Sequence, residues 1–271
     1  MARFFMAGTN LTGGRAVIQG KDAEHIKVLR LRPGEEVTLC DGDGTDYIGN
    51  ILRVGENESE VEILRSEPSA AEPSVRTTVM AGLPKGERGD YLVQKCTEAG
   101  AADIFFFHCT RCIAKPNNIE KKLERWRRIA EEAAKQSGRG VIPHVSYLED
   151  FGEVLNKAVH CDLGLFLYET GERISIREAV EAKPDAETAA IITGPEGGFE
   201  PFEAELARQV GLSICAMGPR ILRCETAPVV ALTALMYGTG NLCDFSQKTL
   251  TAQRFSAILF WRSKDSRSRK R

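Results

Sequence analysis

From residue 75 onward the chain alternates short apolar runs with helical stretches, and that alternation restricts the fold more than any other feature. The runs at 75–81, 104–107, 163–168, 189–193 and 214–217 lack a polar face. Between and after them, residues 91–99, 119–137, 151–159, 202–209 and 227–240 carry helical periodicity. Strands apolar on both faces and separated by helices form a largely parallel sheet covered on both sides, so this half is α/β.

The first 73 residues have a different texture. Segments 36–40, 45–54 and 59–64 alternate as half-buried strands do, and "DGDG" (41–44) reads as a tight turn between two of them. The Pro-, Ser-, Ala- and Glu-rich stretch "RSEPSAAEPS" (65–74) marks a boundary. The division is therefore an all-β domain at 1–73 and an α/β domain at 74–245. A patternless basic tail at 246–271 is expected to be disordered. From Arg254 that tail holds seven Lys/Arg against one Asp, so the rest is more acidic than the formal total of −2. Any nucleic-acid contact must come from local patches.

No apolar run is long enough to span a membrane, and "MARFFMAGTN" has neither a signal-peptide nor a transit-peptide pattern. A cytoplasmic location is expected. The eight cysteines lack disulfide-framework spacing. "HCTRC" (108–112) has the C-x-x-C spacing of half a zinc site, but no second pair matches it, so no metal is expected.

Two glycine-bearing loops follow the last two apolar runs: "TGPEGG" (193–198) and "MGPRILRCETAP" (217–228). In an open parallel sheet, ligands bind beyond the carboxyl ends of the strands, where such loops lie. Strand, glycine turn and helix usually cradle a phosphate. Here the turn carries Glu196 and no lysine, and Glu169 and Glu225 sit in neighbouring segments. Acidic loops repel a pyrophosphate but suit a ligand with hydroxyls and a cationic centre, such as S-adenosylmethionine. Each loop alone also reads as an ordinary strand–helix turn.

"GPEGGF" followed by "GPRILRCETA" closely resembles the 16S ribosomal RNA uridine N3-methyltransferases of the RsmE type, in the SPOUT superfamily. "HIKVLRLRPGEEVTLCDGDGTDY" (25–47), "QKCTEAGA" (94–101), "TRC" (110–112) and "EAAKQSGRGVIPHV" (132–145) are similar to further signatures, so about residues 3–244 are covered. Departures are Ala99 for leucine, Cys112 for a small hydroxyl residue and Cys224 for threonine. The resemblance implies an N-terminal PUA-like β-barrel, a trefoil-knotted C-terminal methyltransferase domain, a homodimer, S-adenosylmethionine as cofactor and 16S rRNA of the small subunit as partner. It places the cofactor on Tyr168, Glu169, Thr193, Gly194, Pro195, Glu196, Gly197, Gly198, Met217, Gly218, Ile221, Leu222, Glu225 and Thr226.

Methylating N3 of uracil requires loss of the imide proton. A cationic donor near O2 or O4 lowers the imide pKa and stabilises the anion. Arg223 is the expected donor; Glu225 either accepts the proton or holds Arg223. A bland alternative for this pair is a salt bridge capping the last helix. RNA contacts are expected at Arg3, His25, Lys27, Arg30, Arg32, Arg111, Gln136 and Arg139, each of which also reads as plain surface polarity. Three other readings are open. A dinucleotide enzyme lacks its G-x-G-x-x-G, because "GLPKGERG" (82–89) has the wrong spacing. A non-catalytic RNA-binding module is disfavoured by the intact glycine loops, and a methyltransferase acting on another RNA also fits.

Overall fold

The computed structural model describes residues 2–6 and 11–242; the basic tail, and Cys243 before it, lie outside the described residues. The first unit comprises β1 (Ala2–Phe5), β2 (Leu11–Thr12), β3 (Arg15–Gln19), α1 (Gly20–Val28), β4 (Glu36–Cys40), β5 (Thr45–Val54) and β6 (Glu58–Pro68). These strands form one sheet in the order β1-β4-β5-β6-β3-β2, with only β1 and β4 parallel. Register shifts at Ile48/Gly49 and Ile51/Arg53 bend the β5–β6 ribbon, as bulges do. The sheet curls into a PUA-like half-barrel around Phe4, Ile18, Val37, Leu39, Ile51 and Val61, and α1 contributes Ala23 and Ile26.

The turn after β4 forms as the sequence suggests: the Asp41 side chain accepts from the N–H groups of Asp43 (2.8 Å) and Thr45 (3.0 Å). The stretch expected to be a linker is partly strand, since β6 continues to Pro68 and pairs it with Thr45. Its proline sits at the strand end, where no ladder donor is lost. Helix α1 escapes sequence reading because its polar residues outnumber the two that it buries.

The second unit begins with β7 (Arg76–Gly82) and α2 (Arg88–Glu98), followed by β8 (Asp103–Phe107) and α3 (Ile119–Ser137). Next come β9 (His144–Leu148), α4 (Phe151–Val159), β10 (Leu163–Leu167), β11 (Ile174–Ser175) and α5 (Ile176–Glu181). The unit closes with β12 (Thr188–Thr193), α6 (Pro201–Gln209), β13 (Ser213–Ala216) and α7 (Ala227–Gly238). The sheet order is β11-β13-β10-β12-β7-β8-β9, and every pairing is parallel.

Each face has its own core. Phe106 and Ile191 point into the layer holding α2, α3, α5 and α7, whereas Phe105, Phe107 and Ile192 point into the layer holding α4 and α6. That two-sided burial is why the strands read as continuous apolar runs. β9 and α5 were not expected from the pattern. The first is an edge strand that buries only Val145 and Leu148, and the second is a six-residue helix fixed by a Ser175/Glu178 capping box.

Arg139 corrects an expectation. It lies between the two units at 2% exposure, not on an RNA-facing surface. Its guanidinium grips Glu72 (2.6 and 3.2 Å) and donates to the carbonyls of Thr97 (2.9 Å) and Ala101 (2.6 Å). Glu72 also accepts the N–H groups of Gly140 (3.0 Å) and Val141 (3.1 Å), so a charge that would be costly to bury alone is fully partnered. Arg3 is similarly committed, donating to both Asp46 oxygens (2.8 and 2.7 Å) and to the Arg139 carbonyl (3.3 Å).

Candidate functional site

Three strands end side by side. β12 delivers Thr193 into the glycine turn, β10 delivers Tyr168 and Glu169, and β13 delivers Met217 into the longer loop that leads to α7. They enclose a cleft of about 600 Å³, within the range of small-molecule sites. Every residue expected at the cofactor lines it except Thr226, which borders an adjoining depression, and Arg223 lines it too.

The first loop is tightly braced. The Gly198 N–H donates to the Pro195 carbonyl (3.0 Å), and Gly198 has φ +69, where a side chain would be strained. A Cβ there would also sit 2.9 Å from Glu169 Oε1. Glu196 accepts the Lys85 N–H (2.9 Å) and the Arg88 guanidinium. Partial burial opposes its charge, but those donors hold the Glu196 carboxyl below its ordinary range. Arg111 clamps the far side, donating to both oxygens of Glu200 (2.8 and 3.0 Å) and to the Gly197 carbonyl (3.2 Å). Glu200 caps α6 ahead of Pro201, and buried Glu203 returns to the Glu200 N–H (2.7 Å) while accepting Thr110.

The second loop is open. Ile221 is 89% exposed, and Gly218 turns at φ +85. Among the described residues, Arg173, Arg220 and Arg223 at the cleft form no ion pair. The Arg223 carbonyl accepts the N–H groups of Thr226 and Ala227 (2.9 Å each), which starts α7. The alternative of an Arg223–Glu225 salt bridge does not form among the described residues. Glu225 instead faces Arg88 Nε at 3.8 Å and accepts a hydrogen bond from the Cys224 thiol (3.3 Å). Burial, reinforced by that bond and nearby carboxylates, pushes the Cys224 thiol up to about 12, so it stays neutral.

Sequence reading missed Arg88. It joins Glu196 of one loop to Glu225 of the other, from the first turn of α2. A signal was present: "KGERG" follows β7, whose carboxyl end opens on the same side as the other loops. The C-x-x-C pair holds its sulfurs 3.6 Å apart, and among the described residues no group of three or more His, Cys, Asp or Glu could hold a metal.

The donor set fits S-adenosylmethionine. The Thr193 hydroxyl is buried at the cleft and lacks a partner, so a bound polar group would satisfy it. Glu169 and Glu196 offer acceptors for ribose hydroxyls or for a sulfonium environment.

A doubly covered parallel sheet whose glycine-looped cleft brings Glu169, Glu196 and Glu225 together with four arginines, joined to a PUA-like half-barrel, places the protein among α/β proteins that bind a small molecule beyond their strand ends. Residues 71–236 match the RNA methyltransferase domain family and residues 18–64 its PUA domain, and the chain belongs to that RNA methyltransferase family. It is 34% identical to ribosomal RNA small subunit methyltransferase E of Bacillus subtilis, over 82% of this chain and 90% of that protein. The protein of that name from Mycobacterium tuberculosis is 32% identical, over 83% and 87%. Among solved structures, the Neisseria gonorrhoeae small subunit methyltransferase E bound to S-adenosyl methionine superimposes with a TM-score of 0.75 at 28% identity, covering 88% of this chain and 97% of that one. A Legionella pneumophila relative in complex with the same cofactor has a TM-score of 0.73 at 29% identity, covering 87% and 96%.

Proposed function

We infer that this protein is an S-adenosylmethionine-dependent ribosomal RNA methyltransferase acting on the small ribosomal subunit, and that its target atom is N3 of a uridine. The observation that carries this reading is the cleft itself: two consecutive strand-end loops, one braced and one open, around an unpartnered buried hydroxyl. The cofactor, held by Tyr168, Glu169, Thr193–Gly198, Met217, Gly218, Ile221, Leu222 and Glu225, supplies an electrophilic methyl group. Arg223 is exposed and free of ion pairs among the described residues, so its guanidinium is available to a uracil carbonyl, where it stabilises the N3 anion. Glu225 takes the N3 proton. Arg88 keeps that carboxylate turned toward the cleft.

His25, Lys27, Arg30 and Arg32 lie exposed along α1 and the turn after it, with Arg30 at φ +57, and they contact RNA phosphates together with Gln136 on α3. Arg111 acts from behind, by fixing the glycine turn. The reading includes a trefoil knot around the two loops and a homodimer. No helix among the described residues is long and apolar enough to cross a membrane.

The test is direct. Purified protein is incubated with methyl-labelled S-adenosylmethionine and small subunits that lack the modification, and the labelled nucleoside is identified. Label in 3-methyluridine is expected; label in another nucleoside rejects the uridine N3 assignment, and cofactor binding without any label rejects catalysis.

A further inference from the structure

A second depression of about 640 Å³ adjoins the cofactor cleft and shares Arg88 and Glu225 with it. One wall comes from the start of α2, with Lys85, Arg88 and Tyr91; the other comes from the start of α7, with Glu225 and Thr226. Its character differs from the cleft's. Its cations lie on one side, and an aromatic ring stands at its edge with Tyr91 47% exposed.

We propose that this second depression receives the extruded target uracil, in a site that rests on the methyltransferase reading above. The argument begins with the base. The pairing edge of uracil presents two carbonyl acceptors flanking one N–H donor. A complementary surface therefore needs a central acceptor between donors. Glu225 is the acceptor, held by the Arg88 Nε 3.8 Å from its Oε2; Lys85 across the depression is one donor, and Arg223 of the adjoining cleft is the other. Cytosine presents an acceptor where uracil presents N3–H, so it would set its N3 lone pair against the carboxylate.

Position supports the same assignment. A base inside folded RNA must leave its stack before it can be modified, and extruded bases are held by stacking on aromatic rings. Tyr91 is the aromatic residue of this depression. Glu225 stands on the shared wall, so a base bound here turns its N3–H edge to that wall, toward the carboxylate and the cofactor cleft alike. The proton passes from N3 to Glu225, and the freed lone pair is the nucleophile. Glu87, also at the rim, is 85% exposed by side chain and leans toward Arg125 at 3.8 Å, which keeps its charge off the base.

The proposal makes Tyr91 and Lys85 determinants of target binding with little part in holding the cofactor. Full-length wild type, Tyr91→Ala, Tyr91→Phe and Lys85→Ala are compared on unmodified small subunits for kcat and KM, and by calorimetry for cofactor affinity. A cofactor-free readout uses small subunits reconstituted with 5-iodouridine at the target position, irradiated with each protein, the crosslinked peptide being identified by mass spectrometry. Expected results are a crosslink on the peptide containing Tyr91 and a KM raised about 10- to 100-fold by Tyr91→Ala. Tyr91→Phe should restore most of that loss, and cofactor affinity should change by less than about threefold. The proposal is overturned if the crosslink maps to the Arg220–Leu222 rim, or if Tyr91→Ala and Lys85→Ala methylate with unchanged KM. It is equally overturned if Tyr91→Ala only splits an oligomer while the crosslink persists elsewhere. Should the wild type crosslink at Tyr91 yet place no methyl on uridine N3, the functional reading fails and the base site stands.

Discussion

The two loops that line the cleft are built in opposite ways. The turn at 193–198 is held from three sides, by Arg88 and Lys85 on Glu196, by Arg111 on Gly197 and Glu200, and by the Pro195–Gly198 turn bond. The loop at 217–226 leaves Ile221 and its arginines exposed, and its internal bonds gather only where α7 begins. The difference divides labour. A preorganised turn lowers the ordering cost of binding, whereas an open loop keeps its charged and apolar groups free for a substrate or a second subunit. The two are wired to each other through one residue, Arg88.

The largest effect tests the open loop. Arg223→Ala should lower turnover about 100- to 1000-fold, as loss of a charge-stabilising donor does, while cofactor affinity stays nearly constant. Steady-state kinetics with a parallel cofactor titration measures both. Equal losses would make Arg223 a pocket-shaping group and erase the contrast between the loops.

The braced loop is challenged by Gly82→Ala. A Cβ at Gly82 would lie 2.5 Å from Pro195 Cδ and 2.6 Å from its backbone nitrogen, so strand β7 or the turn must move. A cost of about 1–3 kcal/mol is expected, visible as a lower Tm together with weaker cofactor binding. An unchanged Tm would show that the turn is softer than its hydrogen bonds imply.

A smaller effect concerns pH. The Glu196 carboxyl is held below its ordinary range in the folded protein, so its contribution is complete above the unfolded glutamate value of about 4.3 and declines as the pH falls through its lowered folded value. Glu196→Gln should be less stable at neutral pH and should lack this part of the acid-side loss. Thermal denaturation across an acid series reads both, and parallel curves for the two proteins would count against the Arg88 and Lys85 contacts. The smallest change is expected for Ile221→Ser, within about 0.5 kcal/mol in stability, because the side chain is already in water.

Much of the architecture was legible because burial imposes period and composition. The five apolar runs of the second half became β7, β8, β10, β12 and β13, and the five helical stretches became α2, α3, α4, α6 and α7. What escaped has little local signal: the edge strand β9, the short helix α5, and α1 with its mostly polar surface. In the site, the glycine loops announced themselves by spacing. Arg88 did not, because its importance lies in joining two distant residues, Glu196 at 108 positions away and Glu225 farther still. Arg139 was misread for a related reason. An arginine beside glycine in a basic stretch looks exposed, and only the fold brings Glu72, Thr97 and Ala101 around it.

Sequence alone determined the class of fold, the division of the chain into two textures and the two loops at the strand ends, since these follow from local patterns of apolarity and glycine. Tertiary structure decided which charges are buried and paired, which stay open, and that Glu225 answers to Arg88 instead of Arg223. Those outcomes depend on distances between segments far apart in the chain, and electrostatic pairing is set by such distances and by burial, not by neighbours in sequence.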